Sequence, residues 1–325
     1  MKRWEFWKAS CPAWPRIKSR VKLRKVHWLG IALGLFAALV VVMAVIIASY
    51  TEAGITSEVG TGGQPLPYDA ETVPQSAIDD ANEVAAEIFG DDVEKCNDFA
   101  TQLLATYAAA QDYDFVLVFN SGGWGWNLLE DSPGWQATFE GIDAELASWG
   151  YTSLQLDYLR ATAAFESRLE EFFESFIGYP TKSEVLAART EFLTDHLPDI
   201  KVILIGESSG AVIIDGAMVV MGDNPRVYSI QAGPPFWHTT VNTERSLIMT
   251  SNGIEVDTLS QGSGLDYLWG CYKKWFGILK PSSYYGTEPH IVVAPGHDYW
   301  WQYPEVRSQI TQFLRDNFAP EGIEY

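Results

Sequence analysis

Cysteine is scarce, with three in 325 residues, which excludes a fold stapled by a disulfide framework. No H-E-x-x-H, no paired C-x-x-C and no Walker loop occurs, so neither a metal nor a nucleotide cofactor is expected. Positive charge is short, 22 Lys and Arg against 42 Asp and Glu, and much of it sits at one end. Residues 1–27 hold nine basic side chains and one acid, a net +8, so that with −20 overall the remainder carries −28. A body that acidic repels phosphate backbones, which are bound through cations that displace counterions. Nucleic acid is therefore excluded as a partner. No fixed-period repeat is visible, which removes solenoids and propellers, and an apolar share of 47% is that of a folded domain.

One long hydrophobic run is present. Trp28 to Tyr50 contains no ionisable side chain over 23 residues, and about 20 suffice to span a hydrocarbon core as a helix. The basic flank lies on its N-terminal side, so the positive-inside rule predicts a single-pass anchor with residues 1–27 cytoplasmic and the acidic body extracytoplasmic. A cleavable signal peptide fits less well, because the basic region and the apolar run are both too long. Gly30 and Gly34 form one small-xxx-small pair, a weak signal for a homodimer. Cys11 is then cytosolic and Cys96 and Cys271 face the oxidising side. They could form one bridge, and two buried free thiols fit the sequence at least as well.

Residues 51–75 are rich in Gly, Pro, Thr and Glu without an apolar period, the composition of a flexible linker. Residues 76–325 are long enough for one large core. Within them strand-like runs (115–119, 152–158, 201–205, 226–231, 246–251, 290–294) alternate with helical periodicity (80–89, 98–110, 135–149, 163–177, 184–196, 211–221, 303–318). Alternation of this kind predicts an α/β fold, a mostly parallel central sheet flanked by helices, preceded here by the one transmembrane helix. Chemistry in such sheets sits at the carboxyl ends of the strands.

The sharpest local signal is Gly206-Glu207-Ser208-Ser209-Gly210, a G-x-S-x-G placed between the apolar run 201–205 and the helical run 211–221. A serine in so tight a strand-to-helix turn needs small neighbours and projects its hydroxyl above the sheet. The helix start directs unpaired N–H groups towards a reacting oxygen, with the Ser209 N–H the natural donor. At this point the chain, over residues from about 100 to 318, resembles the α/β-hydrolase superfamily, in which this turn is the nucleophile elbow. That resemblance implies a serine hydrolase acting on esters through an acyl-enzyme, a carboxylesterase or lipase in type, with Ser208 as nucleophile. It also implies an oxyanion loop in Asn120-Ser121-Gly122-Gly123-Trp124-Gly125, where Gly123, and next to it Trp124, would give the second donor. The general base would be His297, on the loop after the run 290–294.

The orienting acid would be Asp257, with Glu255 next and Asp223 or Asp266 more remote. The partners implied are a small-molecule or lipid-like ester and, through residues 28–50, the membrane. An insoluble polymer ester is a variant of the same reading. A non-catalytic binding or scaffolding domain on the same fold is the alternative from another class.

Aromatic residues flank the proposed site at Trp124, Trp126, Trp237 and Tyr299-Trp300-Trp301, which suggests an apolar pocket. Residues 261–288 read as an insertion near its mouth, a candidate lid. The acidic run Glu170, Glu171 and Glu174 reads as a solvated helix face.

Overall fold

A computed structural model describes residues 56–69, 72–161, 177–241, 244–262 and 296–320, with positions 34, 171, 174, 175, 265, 269, 294 and 322 besides. Contacts divide the chain into Met1–Ser49 and Tyr50–Tyr325. Of the first unit only Gly34 is described, as helical. The expected membrane span 28–50, apart from Gly34, the helix 163–177 in large part, the strand 290–294 apart from Ala294, and most of the insertion 261–288 lie outside the described residues. Among those that are described, no helix is long and apolar enough to cross a membrane. Cys96 is a half-buried free thiol, and Cys271 also lies outside them.

Among the described residues the second unit holds six strands, β1 (Ser57–Val59), β2 (Phe115–Asn120), β3 (Ser153–Leu159), β4 (Lys201–Glu207), β5 (Val227–Ala232) and β6 (Ser246–Met249). The α-helices whose bounds fall within the described residues are α1 (Gln75–Phe89), α2 (Val93–Ala110), α3 (Pro133–Ser148), α4 (Pro180–His196), α5 (Ser209–Met221) and α6 (Pro304–Phe318). The sheet order is β1-β3-β2-β4-β5-β6. All neighbours are parallel except β1, which pairs antiparallel with β3.

Strand alternation divides the core into two layers. Val116, Val118, Val202 and Leu204 pack on one face against α1, α2, α4 and α5. Phe115, Leu117, Phe119, Ile203 and Ile205 pack on the other against α3 and α6. Both faces are covered, so β2 and β4 read as continuous apolar runs.

Residues 57–59 correct the expectation of a featureless tether over 51–75. This strand is pinned by its pairing, Ser57 to Leu159 and Val59 to Asp157, and by buried Glu58. The Glu58 carboxylate accepts from Thr106 Oγ1 at 3.0 Å and lies 3.8 Å from the Arg189 guanidinium.

The chain leaves β2 for β3 on one side and returns to β4 on the other, so the carboxyl ends of β2 and β4 lie side by side with their loops diverging. Asn120 pairs with Gly206 at that point. Such a switch point opens a crevice at the strand ends.

Candidate active site

Ser208 occupies the junction of β4 and α5 with φ 54° and ψ −117°, one of two non-glycine residues with positive φ among those described. Such backbone costs about 1–3 kcal/mol and persists where the surroundings over-determine it. Here the two glycines explain the constraint. A Cβ on Gly210 would fall 2.0 Å from the Asn120 carbonyl oxygen, and one on Gly206 would fall 2.6 Å from Ile214 Cδ1. The helix therefore begins hard against the end of β2, and the serine between takes the strain. Its N–H donates to the Ala232 carbonyl at 2.9 Å, which ties the turn to β5.

His297 stands across the next residue of that strand end. A Cβ on Gly233 would lie 2.5 Å from His297 Cε1, so glycine lets the imidazole reach the elbow side of the sheet. Nδ1 of His297 lies 2.8 Å from Asp257 Oδ2. Its Nε2 is buried without a protein partner.

Asp257 is fully buried and heavily coordinated. Oδ2 also accepts from Tyr299 Oη at 2.6 Å, while Oδ1 accepts the N–H groups of Leu259 and Ser260 at 2.8 and 3.1 Å. Burial alone would push this carboxyl up; the hydrogen bond and charge of His297, with Tyr299 and Ser260, outweigh it and hold Asp257 below the usual carboxylate range. For His297, burial works against the charged ring, but Asp257, then Glu207 and Asp298, outweigh it and raise the imidazole above its ordinary value. Burial raises the Glu207 carboxyl, with His297 opposing.

Of the other acids weighed, Glu255 and Asp223 are exposed to solvent and Asp266 lies outside the described residues. Asn252 organises the turn that precedes Asp257. Its Oδ1 accepts the N–H groups of Ile254 and Glu255 at 2.9 and 3.0 Å, and its Nδ2 donates to Asp298 O at 3.1 Å and Gly296 O at 3.3 Å. One side chain thus curls the loop before Asp257 and stitches it to the loop that carries His297.

The glycine loop after β2 also packs against Ser208. Gly122 is the residue against the serine, since a Cβ there would be 3.4 Å from Ser208 Cβ and 3.4 Å from Glu207 Oε2. Gly123 has φ 62° and turns its carbonyl to Ser209 Oγ, which donates at 2.9 Å. Trp124 is stacked on Trp126, ring planes 2° apart and centroids 6.1 Å apart.

Tyr299 and Trp300 are buried and anchor the His297 loop, a different role from the pocket lining expected of them. Trp300 and Trp301 fit against α3 where Gly134 and Gly141 leave room, and the Trp301 N–H donates to Thr138 Oγ1 at 3.1 Å. Trp237, 57% exposed, instead borders a cavity of about 210 Å³ with Ile177, Gly178, Val212, His238 and Thr239. Val212 lies one helical turn past Ser208, whose carbonyl accepts its N–H at 3.2 Å.

The acidic run is a second correction. Glu171 and Glu174 are buried, not solvated. Glu171 lies 3.0 Å from the Arg160 guanidinium and 2.6 Å from Lys182 Nζ, and Glu174 lies 3.0 Å from Lys182 Nζ. Neither Arg160 nor Lys182 stands out in the sequence.

No protein-family profile matches the chain, and no curated protein sequence matches it. Among solved structures the chain is similar to a Trichoderma reesei cutinase in complex with a C11Y4 phosphonate inhibitor, at 12% identity and a TM-score of 0.38 over 75% of this chain and 94% of that one.

Proposed function

We propose that the protein is a serine hydrolase that cleaves esters through an acyl-enzyme. One observation carries this reading: Ser208 is held in strained backbone at a strand-to-helix elbow tied to Ala232, and against the next residue, Gly233, packs His297, whose Nδ1 is bonded to the buried Asp257. Ser208 Oγ adds to the ester carbonyl carbon while its proton passes to His297 Nε2. Asp257 holds the ring in the tautomer that leaves Nε2 free to accept and stabilises the imidazolium that forms. The Ser209 N–H and an N–H of the loop Gly122–Trp124 would receive the oxyanion. Collapse breaks the bond to the alcohol oxygen, which takes the proton from His297, and water repeats the sequence to release the acid.

The cavity beside Val212 suits the acyl portion, with Ile177 and Trp237 as apolar walls. The unbroken apolar run 28–50 and its basic flank support an anchored enzyme whose acidic body lies outside the cytoplasm. Both an acyl lipid and a polymer ester fit such a tether.

Labelling of the full chain with a fluorophosphonate tests the reading. Wild type should take one label, and Ser208→Ala and His297→Ala should abolish it. A folded wild type that neither takes the label nor hydrolyses p-nitrophenyl butyrate would leave a binding domain on the same fold.

A further inference from the structure

The loop that faces Ser208 is wrapped round a buried guanidinium. Arg160, the first residue after β3, is 3% exposed. Its Nη1 donates to the Ser121 carbonyl at 2.5 Å and also to Asn120 Oδ1. Nη2 donates to the Gly123 carbonyl at 3.2 Å and to Ser209 Oγ at 3.0 Å, and the Arg160 N–H donates to the Gly125 carbonyl at 2.8 Å. The contact is close enough that a Cβ on Gly125 would fall 2.5 Å from Arg160 Cζ. Nε is held in turn by Glu171 at 3.1 Å. A single side chain therefore joins the end of β2, the glycine loop and the first residue of α5.

The geometry points to Arg160 as the positioning residue for the oxyanion donors, an inference that rests on the serine-hydrolase reading. A peptide unit is planar, so fixing its carbonyl fixes the N–H on its other side. The carbonyl of Ser121 shares its plane with the Gly122 N–H, and that of Gly123 with the Trp124 N–H. Arg160 grips both carbonyls, and Gly122 is the residue set against Ser208. A carbonyl bonded to a cation also polarises its peptide and strengthens the N–H as a donor. Two parallel forks of this kind need a planar guanidinium, which the point charge of lysine cannot reproduce. Lys182 and Glu174 complete a buried cluster of two cations and two anions, which balances the charge of the buried guanidinium.

The test uses the full chain with p-nitrophenyl butyrate, with kcat expressed per site titrated by fluorophosphonate. Arg160→Lys and Arg160→Gln should lower kcat per titrated site about 10²-fold, the scale of losing one oxyanion donor, with KM within about threefold and the rate of phosphonate labelling falling in parallel. Arg189→Lys makes the same exchange at a buried arginine remote from the loop, bonded to Thr56 O and Gln102. It should change the titrated fraction and leave kcat per site within about twofold. Should the Arg160 variants not fold, Gly125→Ala displaces the guanidinium from the loop side and must show the same split between kcat and KM. Folded variants with wild-type kcat per site overturn the role and leave the hydrolase reading standing. A wild type inert to both ester and probe overturns the reading and the role with it.

Discussion

Three histidine–aspartate pairs occur among the described residues, and they differ in which ring nitrogen the aspartate takes. His196 on α4 uses Nε2 to reach Asp80 on α1 at 2.7 Å, and His238 uses Nε2 to reach Asp215 on α5 at 2.9 Å. In both, the nitrogen farther from the backbone is spent on a tie between elements. Asp215 is also committed to the Val241 N–H at 2.9 Å. His297 alone binds its aspartate through Nδ1 and leaves Nε2 buried and unpartnered. A buried polar atom without a partner is costly unless something supplies one, and in His297 the vacant nitrogen is the one a general base needs. Distance to an aspartate is alike in all three pairs; the free edge of the ring is what sets His297 apart.

The largest expected effects break that comparison. His297→Ala should lower kcat/KM by about 10⁴-fold or more, whereas His196→Ala should cost stability and leave kcat within about twofold. Equal losses from both would erase the distinction. Asp257→Asn should lower kcat by about 10²–10⁴-fold, since the amide no longer fixes the tautomer or supports the imidazolium. The pH profile sharpens the same point. The proposed mechanism needs neutral His297, whose affinity for its proton is raised by Asp257, Glu207 and Asp298, so the acidic limb of kcat/KM should fall at a pH above the ordinary imidazole value of about 6.5. Residual activity of Asp257→Asn should show that limb displaced to lower pH. A limb that stays in place would mean that the aspartate does not govern the titration.

Much of this site is legible in the sequence because its constraints are local. Gly206 and Gly210 flank Ser208 because strand, turn and helix meet within van der Waals distance, and that demand appears directly as G-x-S-x-G. The buried strands β2 and β4 appear as apolar runs for the same reason. Glu255 and Asp257 share a loop, and residue type does not say which of them is buried; Asp257 is the one that turns inward. Arg160 was invisible: its partners are backbone carbonyls far along the chain, which leave no trace in residue type. Its counterion sits in an acidic run whose composition matches a solvated face. Strand β1 was hidden because three residues in Gly- and Pro-rich surroundings have no period, and it is held by pairing and by Glu58 near Arg189.

The base loop and the elbow also differ in how glycine serves them. At the elbow glycine admits backbone; on α3 it admits rings. A Cβ on Gly141 would lie 2.2 Å from Trp301 Cε2, and one on Gly134 2.0 Å from Trp300 Cδ1. Gly141→Ala should therefore destabilise by about 1–3 kcal/mol through overpacking, although alanine is the better helix former by about 1 kcal/mol. Denaturant unfolding measures it. A stabilised variant would mean that the indole moves aside freely and that α3 does not anchor the His297 loop.

The smallest effect contrasts two buried aspartates that titrate in opposite directions. Asp257 is held low by a histidine and a tyrosine. Asp157, at the end of β3, has one backbone donor, the Leu129 N–H at 2.8 Å, and the acids Glu130 and Asp131 nearby. Burial, with those charges, raises Asp157 to about 6 from 3.8. The folded state thus keeps this proton in a range where the unfolded chain has released it. The stability it contributes is complete below about pH 4 and is lost as pH rises through about 6. Asp157→Asn keeps the acceptor for Leu129 and cannot ionise. Its unfolding free energy should match wild type at pH 4 and exceed it at pH 7 by on the order of 1 kcal/mol, allowing for screening by solvent. A variant less stable than wild type at pH 7 would mean that the Asp157 carboxylate is stabilised in the fold as Asp257 is, and the contrast between the two would fail.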